Sequence, residues 1–131
     1  MKVLMNDLNP GTKFYFNENK PKDGCIYLRR LDSEEGKRIN KACTTKKIEY
    51  KKGQRFAFEE FDDSKFDLLF YDYVIVSWEG LEDEDGTPIP CTAKNKKTLA
   101  MKSLVFQKIL ADAMDKLEEA HIEQEEATEK N

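Results

Sequence analysis

The sequence predicts an α+β fold: a small antiparallel sheet in the N-terminal half, packed with two to three α-helices, and a long C-terminal helix with a frayed acidic tail. Three observations predict it. Aromatic, β-favouring runs alternate with turn residues as far as residue 60, two capped apolar segments with helical spacing follow, and the last residues are rich in glutamate. We expect residues 1–117 to form one domain and residues 118–131 to form a weakly ordered acidic tail.

The first two strands are short. Lys13–Phe16 and Cys25–Leu31 are rich in aromatic and aliphatic residues, and a polar connector containing Pro21 and the Asp23-Gly24 pair joins them. Two β-favouring runs around such a connector predict an antiparallel pair.

A short helix and a hairpin come next. Asp32 and Glu35 have the spacing of a capping box, which predicts a helix from Ser33 to about Ala42. Thr44–Tyr50 and Gln54–Glu60, joined by Lys51-Lys52-Gly53, then predict a second antiparallel pair. In these strands apolar residues alternate with polar residues or alanine, as in strands with one buried face. The apolar positions are Ile48, Tyr50, Phe56 and Phe58.

The segment after the hairpin predicts a helix over Ser64–Ser77. Asp62-Asp63-Ser64 is an N-cap cluster, and apolar residues from Phe66 to Val76 recur at helical spacing. A strand is the alternative, because Tyr73–Val76 is rich in β-favouring residues. Trp78 follows as a core anchor that ends this helix, or alternatively as an exposed contact residue.

The C-terminal half contains a loop and the longest predicted helix. Gly80–Pro90 has the glycine and proline content of a loop, from which Ile89 can reach the core. Thr92 is placed to cap a helix that begins at Ala93 and carries an apolar stripe as far as Leu117. The stripe comprises Leu99, Val105 or Phe106, Ile109, Ala113 and Leu117.

Composition argues against several classes of function. The net charge of −4 disfavours general nucleic-acid binding, which needs an excess of Lys and Arg. Three cysteines without CxxC spacing disfavour a disulfide framework or a zinc site and indicate buried thiols in a reducing compartment. With no signal peptide and no apolar run of membrane-spanning length, we expect a cytoplasmic protein that binds neither membrane nor nucleic acid.

No motif predicts catalysis. The acidic turn Glu82–Gly86 does not fit a calcium-binding EF-hand loop. With Gly86 at the sixth position, such a loop would begin at Leu81, whose side chain has no ligating oxygen, and would end at Thr92 instead of glutamate. His121, the single histidine, lies in the glutamate-rich tail, where a general base is poorly positioned. We therefore expect no enzyme, no catalytic residues, no metal site and no cofactor. The basic stretch from Lys37 to Lys52 is either a solvated face or a polar contact surface.

One segment carries a family resemblance. Tyr71–Leu81 closes on Trp78-Glu79-Gly80, Asp83–Pro90 supplies an acid-rich glycine turn and a Pro-x-Pro loop, and Thr92–Lys96 begins a helix with a Thr-x-x-Asn pattern. This pattern, with the flanking residues 24–100, resembles phage tail assembly chaperones and related small tail proteins.

The resemblance implies a cytoplasmic prophage protein that binds the tape-measure protein and helps to recruit tail-tube subunits, without covalent chemistry. Homo-oligomer formation is compatible with this role. The alternatives are a structural or connector protein retained in the particle, and a small cytoplasmic adaptor that binds one protein partner.

The C-terminal helix supplies the candidate partner-binding residues. If its apolar side faces a partner, the contacts come from Leu104, Phe106, Leu110, Met114 and Leu117. The alternative is that these side chains pack the core or a homodimer.

Overall fold

The computed structural model describes residues 9–129, and the fold class of these residues is α+β, as predicted. They form a three-stranded sheet, a separate two-stranded hairpin and four α-helices. In chain order the elements are β1 (Thr12–Tyr15), β2 (Cys25–Leu28), α1 (Ser33–Cys43), β3 (Thr44–Lys51), β4 (Gln54–Phe61), α2 (Asp63–Val74), β5 (Ile75–Glu79), α3 (Ala93–Lys102) and α4 (Leu104–Glu129).

The three-stranded sheet has the order β1-β2-β5 and is antiparallel throughout. The predicted pairing of the first two strands is confirmed, with Phe14 opposite Ile26. The third strand comes from much later in the chain and places Trp78 opposite Ile26. The sheet therefore joins the N-terminal residues to the middle of the sequence.

The prediction of a helix reaching Ser77 is wrong in its last turn. α2 ends at Val74, and the β-branched residues that follow pair with β2 as strand β5. Leu28 lies opposite Ile75 while Tyr27 lies opposite Ser77, so Val76 is an extra residue in a β-bulge. The strand alternative is thus correct from Ile75 onward.

The main core lies between this sheet and the helices. Trp78 is 8% exposed, which confirms its assignment to the core, although it lies on a strand and does not end a helix. Ile89 packs partly buried against the same cluster, as predicted. The buried members of the cluster are Ile26, Leu28, Val74, Ile75, Trp78, Ala100, Phe106, Leu110, Ala113 and Leu117.

The hairpin β3–β4 forms where predicted, but neither of its faces is buried. Every residue of the two strands is exposed except the half-buried Thr44. The turn is two residues long, so Ile48 pairs with Ala57 and Glu49 with Phe56. Cross-strand partners share a face, and Ile48 therefore lies on the face opposite to Phe56. A one-residue difference in turn length thus divides the apolar residues between two faces.

Three helix starts are capped as predicted. Each cap is an extended residue whose side-chain oxygen accepts a hydrogen bond from a backbone N–H three residues later. The three bonds run from Glu35 to Asp32 at 2.8 Å, from Lys65 to Asp62 at 3.0 Å and from Asn95 to Thr92 at 3.2 Å.

The single C-terminal helix predicted from Ala93 is two helices. Ser103 interrupts it with extended backbone angles, and its N–H donates to the carbonyl of Leu99 at 3.0 Å. The Ser103 hydroxyl then accepts from the N–H of Phe106 at 3.2 Å. Ser103 thus ends α3 and caps α4.

The acidic tail begins as helix, because α4 continues past Leu117 to Glu129. Residues 130–131 of the predicted tail lie outside the described residues, and the weak order expected of residues 118–131 stays a prediction. No helix within residues 9–129 combines the length and the apolar content that crossing a membrane requires.

Candidate functional site

An apolar groove of about 380 Å³ lies between α2 and α4 and is floored by α3. We call it the α2–α4 groove. Its small side chains, Ala100 and Ala111, leave the space that larger neighbours surround. The lining residues are Phe70, Tyr71, Val74, Ala100, Gln107, Leu110, Ala111 and Met114.

A row of aromatic rings leads from the hairpin to this groove. The ring centroids of Phe61 and Phe66 are 5.7 Å apart, and those of Phe66 and Phe70 are 5.9 Å apart. Phe70 then contacts Tyr71 edge-on at 5.2 Å. These separations are in the favourable range for aromatic pairs, so the row holds the α2 wall of the groove in place.

A buried ion pair fixes α3 against α2. The ammonium group of Lys96 is 3.1 Å from the carboxylate Oδ1 of Asp72 and donates to the backbone carbonyl of the same residue at 3.1 Å. The Lys96 side chain is 8% exposed, whereas that of Asp72 is 49% exposed. The ammonium group of the next residue, Lys97, donates to the carbonyl and hydroxyl of Ser64 on α2. These contacts hold α3 against α2.

The structure divides the predicted partner-binding residues. Phe106, Leu110 and Leu117 are buried, and the Phe106 ring contacts Trp78 edge-on at 6.0 Å between centroids. Their burial agrees with the alternative that these side chains pack the core, and their contact with a partner stays a prediction. Leu110 still contributes to the groove, together with the half-buried Met114.

Leu104 is the one predicted partner-binding residue that is strongly exposed, at 81%. It lies at the corner between α3 and α4, beside Val105 at 73% and near Met101 at 48%. The sequence pattern does not predict this corner, because the apolar stripe from Leu99 to Leu117 assumes one continuous helix. Ser103, a favourable N-cap residue, is the sequence signal that indicates the break.

A second, polar cleft of about 440 Å³ lies between the N-terminal strands and α4. Its lining residues are Asn9, Thr12, Arg29, Arg30, Asp32, Leu117, Ala120 and His121. Its charged groups are engaged within the protein: Arg30 forms an ion pair with Glu118 at 2.9 Å, and the Arg29 guanidinium lies 3.9 Å from the centre of the Tyr73 ring. The cleft therefore ties α4 to the sheet.

Two pKa values beside this cleft are shifted, that of Asp32 by hydrogen bonds and that of Tyr73 by burial. The backbone N–H of Glu35 and the Tyr73 hydroxyl, which donates to Asp32 at 3.0 Å, hold the pKa of Asp32 below its usual value. Burial raises the pKa of Tyr73. Both directions agree with the hydrogen bond in which the Tyr73 hydroxyl donates and the Asp32 carboxylate accepts.

The cysteines and the histidine are not assembled into a nucleophilic site. Cys25 and Cys43 are buried and Cys91 is half-buried, as predicted, and no cysteine lines the cleft that contains His121. Burial raises the pKa of the Cys25 and Cys91 thiols, which disfavours the reactive thiolate.

The acidic turn is closed by the side chain of Asp83, which accepts from backbone N–H groups of the turn. Asp83 accepts hydrogen bonds from the N–H groups of Asp85 at 2.9 Å and Thr87 at 3.0 Å through one carboxylate oxygen. Across residues 9–129, no group of three or more His, Cys, Asp or Glu side chains is placed to hold a metal ion. Part of the basic stretch is also paired internally, with Lys47 2.7 Å from Glu60.

A protein-family model described as the YdaY prophage protein matches residues 33–131, about three quarters of the chain. The match includes the hairpin, α2, β5 and both C-terminal helices, and it leaves out β1 and β2. No curated protein and no solved structure matches the chain. On the extent of the family match, the chain belongs to the YdaY prophage protein family.

Proposed function

We propose that this prophage protein is a tail assembly chaperone that acts in the host cytoplasm, binds the tape-measure protein and helps to recruit tail-tube subunits. It would act by binding alone, as a protein without enzymatic activity or cofactor. The proposal rests on the family match to a prophage protein, on the resemblance of residues 24–100 to tail assembly chaperones, and on the α2–α4 groove.

The groove is the observation that carries the proposal. It is concave and lined mainly by apolar side chains from three helices, and it is large enough to receive a few apolar side chains of a partner. An amphipathic helix presents such side chains at positions i, i+3 and i+4, which suits a groove between helices. Long helical tape-measure segments need this kind of cover before the tail tube forms around them.

Charge around the groove supports reversible binding. On α3, Lys96 contacts Asp72 and Lys97 contacts Ser64, so both lysines are already paired within the protein. The lining of the groove itself contains the uncharged polar residue Gln107. The residues that line the groove carry no charge, so a partner can bind there without desolvating a charged side chain of the lining. Such a site can release its partner when tube subunits compete for the same helix.

The test is to co-express the chain with a tape-measure protein from the same prophage and to measure how much of that protein stays soluble and co-purifies. Ala111 is exposed on the groove wall, so Ala111→Glu places a charge in the groove without burying it. We expect co-purification to fall about tenfold or more. The matched control is Ala120→Glu, the same change at an exposed position on α4 outside the groove.

Failure of the wild-type chain to keep the tape-measure protein soluble would overturn the chaperone proposal. Equal binding by the Ala111→Glu and wild-type chains would instead remove the groove as the binding surface. Mass spectrometry of purified particles distinguishes the structural alternative, since a chaperone is absent from the finished particle and a connector protein is retained.

A further inference from the structure

The hairpin β3–β4 projects from the molecule with both faces uncovered. Tyr50 is 72% exposed, Ile48 48% and Phe56 47%. A two-stranded ribbon alone is marginally stable in water and gains stability from additional strands or from packing. The exposed apolar residues and unpaired edges therefore mark a surface that another chain can cover.

The two edges of this hairpin differ in charge. β3 and the turn carry Lys46, Lys47, Lys51 and Lys52, and lysines on an edge strand oppose pairing with another strand. The centre of β4 is Phe56-Ala57-Phe58 and contains no charge. β4 is consequently the edge open to pairing.

The turn fixes which backbone groups of β4 point outward. Lys52 and Gly53 both have positive φ, at 51° and 76°, which is the pattern of a two-residue type I′ turn. Such a turn is closed by a hydrogen-bonded pair, here Lys51 and Gln54. Because hydrogen-bonded pairs alternate along an antiparallel ladder, the N–H and C=O groups of Arg55, Ala57 and Glu59 face away from β3.

We propose that two copies of this chain pair through their β4 edges about a two-fold axis at Ala57, forming a four-stranded antiparallel sheet. In this register Arg55 of one copy lies opposite Glu59 of the second copy, and Phe56 lies opposite Phe58 of the second copy. The two-fold axis produces each contact twice. Within the described part of the chain neither Arg55 nor Glu59 forms an ion pair, so both charges are available to the second copy.

Charge complementarity selects β4 over β3 and selects this register. A symmetric β3–β3 sheet would bring two lysine-rich strands together. Moving the β4 register by one pair, with Phe58 on the axis, would place Arg55 opposite Phe61 and Glu59 opposite Ala57, so that neither charge would face a charge of the second copy. Opposite charges and aromatic rings at directly opposed positions are the pairs that stabilise antiparallel sheets.

The first experiment is charge reversal in the full chain, followed by sedimentation equilibrium. We expect the wild-type chain to dimerise, and R55E or E59R to weaken the dimer about tenfold or more, because each places like charges opposite one another twice. The double variant R55E/E59R restores opposite charges and should recover wild-type association. Circular dichroism checks that each variant is folded.

The second experiment tests the register by oxidation of Ala57→Cys in the full chain. Residues facing each other as a hydrogen-bonded pair have Cα atoms about 5.5 Å apart, which is within disulfide range. The matched control is Ile48→Cys, on the same face but one strand further out in each copy, so that its Cα atoms lie about 14 Å apart. We expect a disulfide-linked dimer from the first variant and none from the second.

A wild-type chain that is monomeric at about 100 μM would overturn the proposal and leave the hairpin edge to a different protein. The β4 interface would be overturned if neither single charge reversal weakened the dimer. It would also be overturned if the double variant R55E/E59R did not restore association. Equal cross-linking by the Ala57→Cys and Ile48→Cys variants would also contradict it.

Discussion

At the scale of the residue, Trp78 connects three parts of the molecule. Its ring packs edge-on against Phe106 of α4, its backbone belongs to β5 opposite Ile26, and its indole N–H donates to the carbonyl of Ile89 at 2.8 Å. The loop that follows β5 is thereby fastened to the core. Substituting Trp78 should therefore destabilise the fold, because no smaller side chain makes all of these contacts.

We expect Trp78→Ala to lower the free energy of unfolding by about 3–5 kcal/mol, because it opens a cavity and leaves the Ile89 carbonyl without its donor. Urea unfolding followed by circular dichroism measures the change. Tyr50→Ala is the control, since this exposed aromatic residue should change stability by about 0.5 kcal/mol or less. Equal effects of the two substitutions would contradict the assignment of Trp78 to the core.

Substituting Asp72 should lower the free energy of unfolding more than substituting Lys96. Asp72→Ala leaves a buried ammonium group with only the backbone carbonyl as acceptor, so we expect a loss of about 1–3 kcal/mol. Lys96→Met removes the charge and retains most of the packing, leaving a half-exposed carboxylate that water can solvate, so about 1 kcal/mol or less should be lost. Thermal unfolding of both variants gives the order of the two losses; a larger loss for Lys96→Met than for Asp72→Ala would contradict this account of the buried ammonium group.

At the scale of the element, the sequence predicted which segments are helices and strands better than how they face one another. The caps at Asp32, Asp62 and Thr92 were visible because an N-cap is a local hydrogen bond. The buried face of the hairpin was predicted wrongly because it depends on register, which one residue of turn length reverses. The end of α2 was missed because pairing with β2, distant in sequence, draws Ile75 into a strand.

The candidate site could likewise be predicted only in part, because local sequence patterns do not show how helices pack together. The apolar stripe on the C-terminal helix was visible from its spacing, but spacing does not distinguish a side chain that packs the core from one that faces a partner. Phe106 fills the core against Trp78, while Leu104, two residues earlier, is exposed beyond the break at Ser103. The α2–α4 groove depends on three helices meeting, which no local pattern encodes.

The hairpin should be removable without loss of the remaining fold. At its base the N–H of Asp62 donates to the carbonyl of Cys43 at 2.9 Å, so a short glycine linker can replace residues 45–60. We expect a cooperative urea transition with a midpoint close to that of the full chain, because residues 45–60 contribute nothing to the buried core. By contrast, Ile26→Asp should abolish the transition. Loss of cooperative unfolding on hairpin removal would show that the hairpin stabilises the core.

At the scale of the whole molecule, the sheet makes the N-terminal residues necessary to the rest of the chain. The family match begins at Ser33, yet β2 lies between β1 and β5 and contributes Ile26 and Leu28, both fully buried, to the core. The matched region therefore shares its core with residues that precede the match. Arg30 adds an ion pair to Glu118 of α4 across the same boundary.

We expect a chain restricted to residues 33–131 to lack cooperative unfolding, because β5 loses its strand partner and Trp78 loses the side chains beneath it. Urea titration and one-dimensional NMR of the fragment beside the full chain provide the measurement. A fragment with dispersed amide signals and a sharp transition would show that α2–α4 form a stable core without the N-terminal strands.

The strand order also has a consequence for synthesis, because a ribosome releases the chain from its N-terminus. β1 and β2 emerge first, but β2 acquires its second neighbour only after β5 is made, and its apolar face is covered only when α4 follows. Until then Ile26 and Leu28 lack neighbours that bury them in the folded protein. A host chaperone that binds short apolar strands would therefore encounter this protein early, and a translation pause before Leu104 would prolong the encounter.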